Sequence, residues 1–140
     1  MSKRPIILSI AGTDSGGGAG VTADVKTASG LGAYALNAVT CVTAQNTKRV
    51  KTIFPIPATV LKNQLLILAE DFEIDSVKIG MIYSLENVEV IAEWLNLFKC
   101  RNVVLDPVLR STSGVDLVEE TAKEKIFDVL LKFSDLVTPN

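Results

Sequence analysis

The sequence predicts an α/β fold with a mainly parallel sheet, because short apolar segments alternate with amphipathic helical patterns along the whole chain. A glycine cluster follows the first apolar segment and leads directly into the first helical pattern. With 140 residues, 48% of them hydrophobic, the chain is long enough for one domain with a packed core. We therefore expect residues 1–140 to belong to a single domain of right-handed strand–helix–strand units.

Five segments are predicted to be strands, because they are short, apolar and bounded by turn residues. They are Ile6–Ile10, Tyr34–Thr43, Ser76–Gly80, Asn102–Leu105 and Leu136–Thr138. The stretch from Tyr34 to Phe54 is long for one strand, and a β-hairpin around Asn46-Thr47-Lys48 would account for the excess. Since the last segment is a strand end without a closing helix, the domain is expected to be cut off mid-fold.

Four segments show the apolar spacing that is typical of amphipathic helices. They run from about Gly18 to Leu31, from about Pro57 to Asp71, from Ser84 through an apolar stripe that reaches Phe98, and from about Val118 to Phe133. Ser84 suits an N-cap, with Glu86 in the first turn. Trp94 lies at the edge of the third stripe, and core packing explains it better than ligand stacking.

Composition excludes several classes of function. The net charge is −2 with scattered basic residues, so neither a nucleic-acid nor a membrane surface is indicated. The absence of histidine excludes imidazole bases and most zinc sites. Cys41 and Cys100 lie in apolar surroundings without metal-ligand spacing, so we expect buried free thiols in a reducing compartment. No signal peptide or membrane span is recognised, and a cytoplasmic protein is expected.

The glycine-rich run from Ala11 to Gly20 predicts a ligand site between a strand and a helix. It is not a Walker A loop, because Gly18 and Ala19 stand where Lys and Ser/Thr are required. It also fails the dinucleotide pattern, because Val21 stands in the last glycine position. A tight turn needs fewer glycines, so we expect a backbone cradle whose free N–H groups point at a ligand.

Three strand ends carry polar or pocket-forming residues, and carboxyl ends of parallel strands meet at one edge of a sheet. The Gln45 carboxamide can pair with an aminopyrimidine edge, although a surface glutamine after a strand fits equally well. Met81 suits the wall of an apolar pocket or an ordinary core position. Asp106 suits a magnesium ion or the cap of a turn, and Val108 suits a residue that closes the pocket.

Several motifs occur in the order and at the spacings of one known family. They are Ala11-Gly12-Thr13-Asp14 with Gly17-Gly18-Ala19-Gly20, Ala23-Asp24 with Lys26-Thr27, Leu31-Gly32-Ala33, Thr43-Ala44-Gln45-Asn46-Thr47, Lys78-Ile79-Gly80-Met81, Val104-Leu105-Asp106-Pro107-Val108 and Thr138-Pro139-Asn140. With them the chain resembles the hydroxymethylpyrimidine/phosphomethylpyrimidine kinases of thiamine biosynthesis. That resemblance covers the full length of the chain and implies a ribokinase-like, three-layer α-β-α fold, of which this chain is the N-terminal half.

The resemblance also implies roles for individual residues. The backbone from Gly12 to Ala19, including Asp14 and Gly18, would line the pyrimidine pocket. The Gln45 side chain would recognise the aminopyrimidine by hydrogen bonds, while Met81 and Val108 would pack on its ring. Asp24 would be a polar active-site residue. Asp106 and Asn140 would serve the magnesium ion.

The resemblance further implies ATP as co-substrate and a homodimer for the whole enzyme. The family's phosphate-binding Gly-Thr-Gly loop and catalytic cysteine lie beyond Asn140, so no catalytic base is assigned here and the 140 residues alone are expected to be inactive. Ser15-Gly16 and Val21-Thr22 differ mildly from the residues that are commoner in the family. These differences are expected to affect the rigidity of the loop but not the reaction.

Two other hypotheses about the function stay open at this point. A pyridoxal kinase-type vitamin kinase shares the fold, although Gln45 followed by Met81 favours an aminopyrimidine. A non-catalytic pyrimidine-binding or dimerising module is the second.

Overall fold

A computed structural model describes residues 4–111 and 114–139. Five strands form a parallel sheet in the order β2-β1-β5-β6-β7, and two further strands form a separate antiparallel hairpin. The strands are β1 (Ile6–Ala11), β2 (Tyr34–Val39), β3 (Cys41–Gln45), β4 (Val50–Pro55), β5 (Ser76–Ile79), β6 (Val103–Leu105) and β7 (Leu136–Val137). The helices are α1 (Gly20–Gly30), α2 (Ala58–Asp71), α3 (Leu85–Phe98) and α4 (Glu120–Lys125). The predicted α/β class with a parallel sheet is confirmed.

Helices cover both faces of the sheet, which gives the predicted three layers. On one face, residues such as Leu8 and Ile10 of β1 pack into the main core together with α2, α3 and α4. On the other face, Ser9 of β1 donates a hydrogen bond to Asp24 of α1. Trp94 is 4% exposed and belongs to the core, as expected.

The predicted strand Tyr34–Thr43 is wrong as one element, because the chain leaves the sheet at Thr40. The Thr40 N–H still bonds to the carbonyl of Ala11, but its hydroxyl donates to the carbonyl of Met81 at 2.7 Å. After that break β3 pairs with β4, and the hairpin expected near Asn46 is confirmed. The Asn46 carboxamide oxygen accepts from the N–H groups of Lys48 and Arg49, which stabilises the turn.

One buried amide holds the hairpin in place. Asn87 of α3 is fully buried, and its Nδ2 donates to the carbonyls of Thr40 and Ile56, each at 3.1 Å. These carbonyls lie just before β3 and just after β4. The hairpin is therefore anchored at both of its ends, and its tip carries Gln45 to the edge of the main sheet.

The first three predicted helices are confirmed with shifted ends, and Ser84 caps α3 by accepting from the Asn87 N–H. The fourth, Val118–Phe133, is wrong as a continuous α-helix. It consists of α4, a π-helical turn at Ile126–Leu130 and a 3₁₀ turn at Leu131–Phe133. The core residues Ala122, Ile126 and Leu130 recur every four residues, which exceeds the 3.6-residue α period, so a wider turn keeps them on one line.

No helix in the ranges 4–111 and 114–139 is long and apolar enough to cross a membrane.

Candidate active site

A cavity of about 230 Å³ lies at the carboxyl ends of β1, β5 and β6. Most of the predicted site residues line it, namely Gly12, Asp14, Ala19, Asp24, Gln45, Met81, Asp106 and Val108. Gly18 does not line it, and Asn140 lies outside the described residues. The glycine loop, α1 and the ends of β5 and β6 meet at this edge of the sheet, as expected. Gln45 also lies there, but it ends β3 of the antiparallel hairpin and not a strand of the parallel sheet, so that part of the expectation is wrong.

The N–H groups of residues 16–19 bond to Asp14, so the expectation that they point at a ligand is wrong for these four donors. The Asp14 carboxylate accepts hydrogen bonds from the N–H groups of Gly16 at 2.7 Å and of Gly18 and Ala19 at 2.9 Å each. Asp14 is only 8% exposed. A carboxylate thus occupies the anion position at the start of α1 from within the chain, which stabilises the loop and excludes an external phosphate from those donors.

Two glycines of the loop are required by close packing. Gly20 has φ +58°, and a Cβ atom there would overlap the backbone carbonyl of Gly12. A Cβ on Gly12 would lie 2.6 Å from the Cys41 sulfur. The loop is therefore pressed between the start of α1 and the start of β3, and the cavity floor is backbone held in one position.

Gln45 is fixed to the loop through its main chain. The Ser15 hydroxyl donates to the Gln45 carbonyl at 2.7 Å and accepts from the Gln45 N–H at 2.9 Å. The side-chain oxygen of Gln45 lies 3.4 Å from the Thr43 hydroxyl, a long hydrogen bond. Gln45 lines the cavity, and its carboxamide carries two N–H donors and one acceptor oxygen of the kind that a ligand can use.

The polar side of the cavity is a group of charged residues around Lys78. Its ammonium lies 3.1 Å from the Asp24 carboxylate and 3.7 Å from the Asp106 carboxylate. Asp24 also accepts from the Ser9 hydroxyl at 2.6 Å. The three charged side chains are each about one quarter exposed. Two carboxylates and one ammonium leave this side of the cavity with a net negative charge, which suits a cation.

The cavity also has apolar lining residues. Met81, Val108 and Leu117 line it, and Cys41 packs behind Met81 with its sulfur 3.9 Å from the Met81 sulfur. The cavity thus combines one polar side, one carboxamide and one apolar wall. This arrangement fits a flat, weakly polar ring with a reactive group at one end.

Both cysteines are free thiols, as predicted, but only Cys41 is fully buried and Cys100 is half-buried. Burial raises the pKa of the Cys41 thiol, and a hydrogen bond from Thr40 opposes part of that rise. Burial also raises the pKa of the Cys100 thiol.

We expect iodoacetamide at pH 8 to label Cys41 at least roughly tenfold more slowly than Cys100, because the Cys41 thiol is inaccessible and mostly protonated. Peptide-resolved mass spectrometry of the native protein measures both rates in one sample. Equal rates would contradict the buried position of Cys41, and denaturation in urea should remove the difference.

A larger cavity, of about 380 Å³, lies beside the amino end of β5, between the C-terminal ends of α2 and α3. Its rim mixes Asp75, Lys99 and Arg101, and the Asp75 carboxylate already accepts from the Ile6 N–H. In parallel sheets ligands bind at the carboxyl ends of strands, so the smaller cavity is the candidate active site.

The profile of the phosphomethylpyrimidine kinase family matches residues 14–140. The chain belongs to this family. It is 45% identical over 135 residues to a hydroxymethylpyrimidine/phosphomethylpyrimidine kinase from Aquifex aeolicus, an alignment that covers 96% of this chain and 53% of that protein. The chain spans about half the length of the curated hydroxymethylpyrimidine/phosphomethylpyrimidine kinases that it matches.

Solved structures place the fold in the same family. The phosphomethylpyrimidine kinase of Clostridium difficile 630 superposes with a TM-score of 0.91 at 39% identity, over 98% of this chain and 59% of that one. The pyridoxal kinase of Staphylococcus aureus, solved in complex with pyridoxal, superposes with a TM-score of 0.85 at 28% identity, over 99% of this chain and 51% of that one. The ribokinase-like fold is thus confirmed, and the pyridoxal kinases are its more distant relatives.

Sequence reasoning assigned no role to Ser15 or Lys78 in this kinase-family site. Lys78 could have been found, because a lysine between Val77 and Ile79 in a buried strand requires a charged partner. Ser15 gave no such signal, since serine is common in loops and its bonds to Gln45 join residues 30 positions apart. Leu117 also lines the cavity, from a loop without a regular pattern.

Proposed function

We propose that the protein carrying this chain phosphorylates 4-amino-5-hydroxymethyl-2-methylpyrimidine and its monophosphate with ATP as co-substrate, in thiamine biosynthesis. The single observation that carries the proposal is that one cavity is lined by the Gln45 side chain, by apolar residues and by the carboxylates of Asp24 and Asp106. The names of the relatives, hydroxymethylpyrimidine/phosphomethylpyrimidine kinase among them, support the same reaction.

The cavity supports one aromatic ring as substrate. Its volume of about 230 Å³ lies below the range of roughly 300–1,000 Å³ that drug-sized ligands occupy. The Gln45 amide N–H would donate a hydrogen bond to a ring nitrogen, and its oxygen would accept one from the exocyclic amino group. Met81 and Val108 would pack on the faces of the ring. The backbone at Gly12 and Ala19 would border the ring. Such fixed contacts position the hydroxymethyl oxygen, and positioning is the main requirement of phosphoryl transfer.

The residues present fit a magnesium ion at Asp106. Magnesium is usually held by one or two carboxylates together with water and substrate phosphates. Among the described residues, no three or more His, Cys, Asp or Glu side chains form a metal-binding cluster. Asp106 would hold the ion, assisted by Asn140, which lies outside the described residues. The ion would neutralise charge on the phosphates.

We propose that the 140 residues provide the pyrimidine site and do not turn over substrate by themselves. The glycine loop supports this view, because Asp14 occupies the donors that a phosphate would need. For the whole protein we propose a homodimer, and Val42 and Phe54 of the hairpin are exposed apolar residues of the kind that interfaces use. Free thiols at Cys41 and Cys100 support a reducing compartment such as the cytoplasm.

Pyridoxal is the second candidate substrate, because pyridoxal kinases share the fold at 28% identity. Gln45 disfavours it, since pyridoxal lacks the exocyclic amine that pairs with a carboxamide oxygen. A non-catalytic pyrimidine-binding module remains the third candidate, and it predicts binding without turnover.

The full-length enzyme, incubated with Mg-ATP and either hydroxymethylpyrimidine or pyridoxal, tests the proposal. We expect ADP release with hydroxymethylpyrimidine, a higher kcat/KM than with pyridoxal, and two successive phosphorylated products by ³¹P NMR. Binding of the pyrimidine without ADP release would identify the non-catalytic module. A preference for pyridoxal would overturn the assignment of Gln45.

A further inference from the structure

Lys78 occupies a central position among the charged residues of the cavity. It lies on β5, opposite Ser9 of β1 in the register of the parallel pair. Its ammonium reaches Asp24 from α1 on one side and Asp106 after β6 on the other. Three separate elements of the fold therefore meet at one nitrogen atom.

The two contacts of Lys78 differ in kind. The 3.1 Å contact with Asp24 is a charge-assisted hydrogen bond, and the Ser9 hydroxyl holds the same carboxylate oxygen at 2.6 Å. The 3.7 Å contact with Asp106 is longer than a hydrogen bond and acts mainly through charge. Asp24 thus anchors the ammonium, while the Asp106 oxygens keep lone pairs available for another cation.

We propose that Lys78 is a positioning residue for phosphoryl transfer: it holds the Asp106 carboxylate at the cavity and limits how tightly a divalent cation binds there. This inference rests on the proposed function. Without the ammonium, Asp24 and Asp106 become two uncompensated carboxylates around a partly buried space. They would attract a cation more strongly, but Asp106 would lose the charge that sets its orientation.

Gly80 supplies an independent observation for the same role. A Cβ on Gly80 would lie 2.8 Å from the Lys78 ammonium nitrogen and 3.0 Å from the Ala11 Cβ. The absence of a side chain at residue 80 therefore leaves the space through which the lysine reaches the two carboxylates. Gly80→Ala should displace the ammonium without removing its charge.

The test uses the full-length enzyme with Lys78→Met, which keeps an unbranched side chain and removes the charge. We expect kcat with hydroxymethylpyrimidine and Mg-ATP to fall about 10- to 100-fold, with the pyrimidine KM within about threefold of the parent value. In the absence of nucleotide, electron paramagnetic resonance of Mn²⁺ should show binding about three- to tenfold tighter than in the parent. A merely structural role would lower kcat and weaken metal binding together.

Lys62→Met is the matched control. Lys62 forms a 3.1 Å ion pair with Glu93 on the exposed surfaces of α2 and α3, and neither residue lines the cavity. It should change neither kcat nor Mn²⁺ binding by more than about twofold, as is usual for exposed ion pairs. Gly80→Ala should lower kcat but leave Mn²⁺ binding within about twofold, because the positive charge is retained near the carboxylates.

Three results would overturn the inference: an unchanged kcat in Lys78→Met, Mn²⁺ binding that is no tighter than in the parent, or a parent that binds no Mn²⁺. If Lys78→Met does not fold, Lys78→Gln supplies the same two readouts, and Gly80→Ala supplies the decrease in kcat. A parent that binds Mn²⁺ but phosphorylates no pyrimidine would refute the proposed function, while the metal-binding comparison still tests Lys78.

Discussion

Replacing Gln45 by glutamate is expected to lower kcat/KM for hydroxymethylpyrimidine about 100-fold, or about 2.7 kcal/mol, in the full-length enzyme. The substitution keeps the size of the side chain and removes its amide donors, so a carboxylate oxygen then faces a ring nitrogen that needs a donor. Most of the loss should appear in KM, because the ring contacts are the same in the ground state and in the transition state. Steady-state kinetics with varied pyrimidine at saturating Mg-ATP measures both parameters.

Gln64→Glu is the control for this prediction. The Gln64 carboxamide accepts from the Val39 N–H at 2.9 Å and donates to the Val39 carbonyl at 3.1 Å, so it stabilises the end of β2. Glutamate at residue 64 should lower the melting temperature without a selective change in the pyrimidine KM. A Gln45→Glu enzyme with a KM within threefold of the parent value would refute the role of the carboxamide in ring recognition.

The position of the site could be predicted from the sequence because it depends on a general property of parallel sheets. Met81 and Asp106 each follow an apolar strand of the parallel sheet, and the carboxyl ends of parallel strands converge. Gln45 instead ends β3 of the antiparallel hairpin, and the Ser15 hydroxyl holds its main chain beside the glycine loop, which the sequence pattern did not show. The alternation of strands and helices predicted the class for a similar reason, since periodicity reports which faces are buried. Both predictions start from local patterns in the sequence, and the parallel arrangement of the strands then determines where those residues lie.

The use of each polar group could not be predicted in the same way. The carboxylate of Asp14 faces inward to the N–H groups of its own loop, although its place beside a glycine cluster favoured a ligand-binding role. The break of the strand at Thr40 depends on the Met81 carbonyl, 41 residues away in sequence. The change from an α-helix to a π-helical turn at Ile126–Leu130 follows from packing against the core. The spacing of apolar residues in the sequence does not show it. At Thr40 and at Ile126–Leu130 the deciding contacts are with residues distant in sequence. At Asp14 the same carboxylate could bond either to its own loop or to a ligand, and the sequence does not distinguish the two.

The glycines of the α1 region make the second large effect predictable, because they differ in conformation and surroundings. Gly20 combines φ +58° with a Cβ position that overlaps the Gly12 carbonyl, whose oxygen accepts from the Val21 N–H. Gly32 has φ +86° but open space around it. Gly30, the last residue of α1, has open space and no unusual φ. The three alanine variants therefore separate backbone strain from steric overlap.

We expect Gly20→Ala to destabilise the full-length enzyme by at least about 3 kcal/mol, since the left-handed conformation costs roughly 1–2 kcal/mol and overlap with a backbone atom adds to it. Gly32→Ala should cost only about 1 kcal/mol, and Gly30→Ala should be neutral or stabilising by up to about 1 kcal/mol. Differential scanning calorimetry should show a decrease of about 6–12 °C in the melting temperature for Gly20→Ala. Because the Gly12 carbonyl borders the cavity, the residual folded Gly20→Ala enzyme should also bind pyrimidine weakly. Equal melting temperatures for the Gly20 and Gly30 variants would mean that the loop is not pressed against the start of α1, and the cavity floor would then lack the fixed backbone on which ring recognition depends.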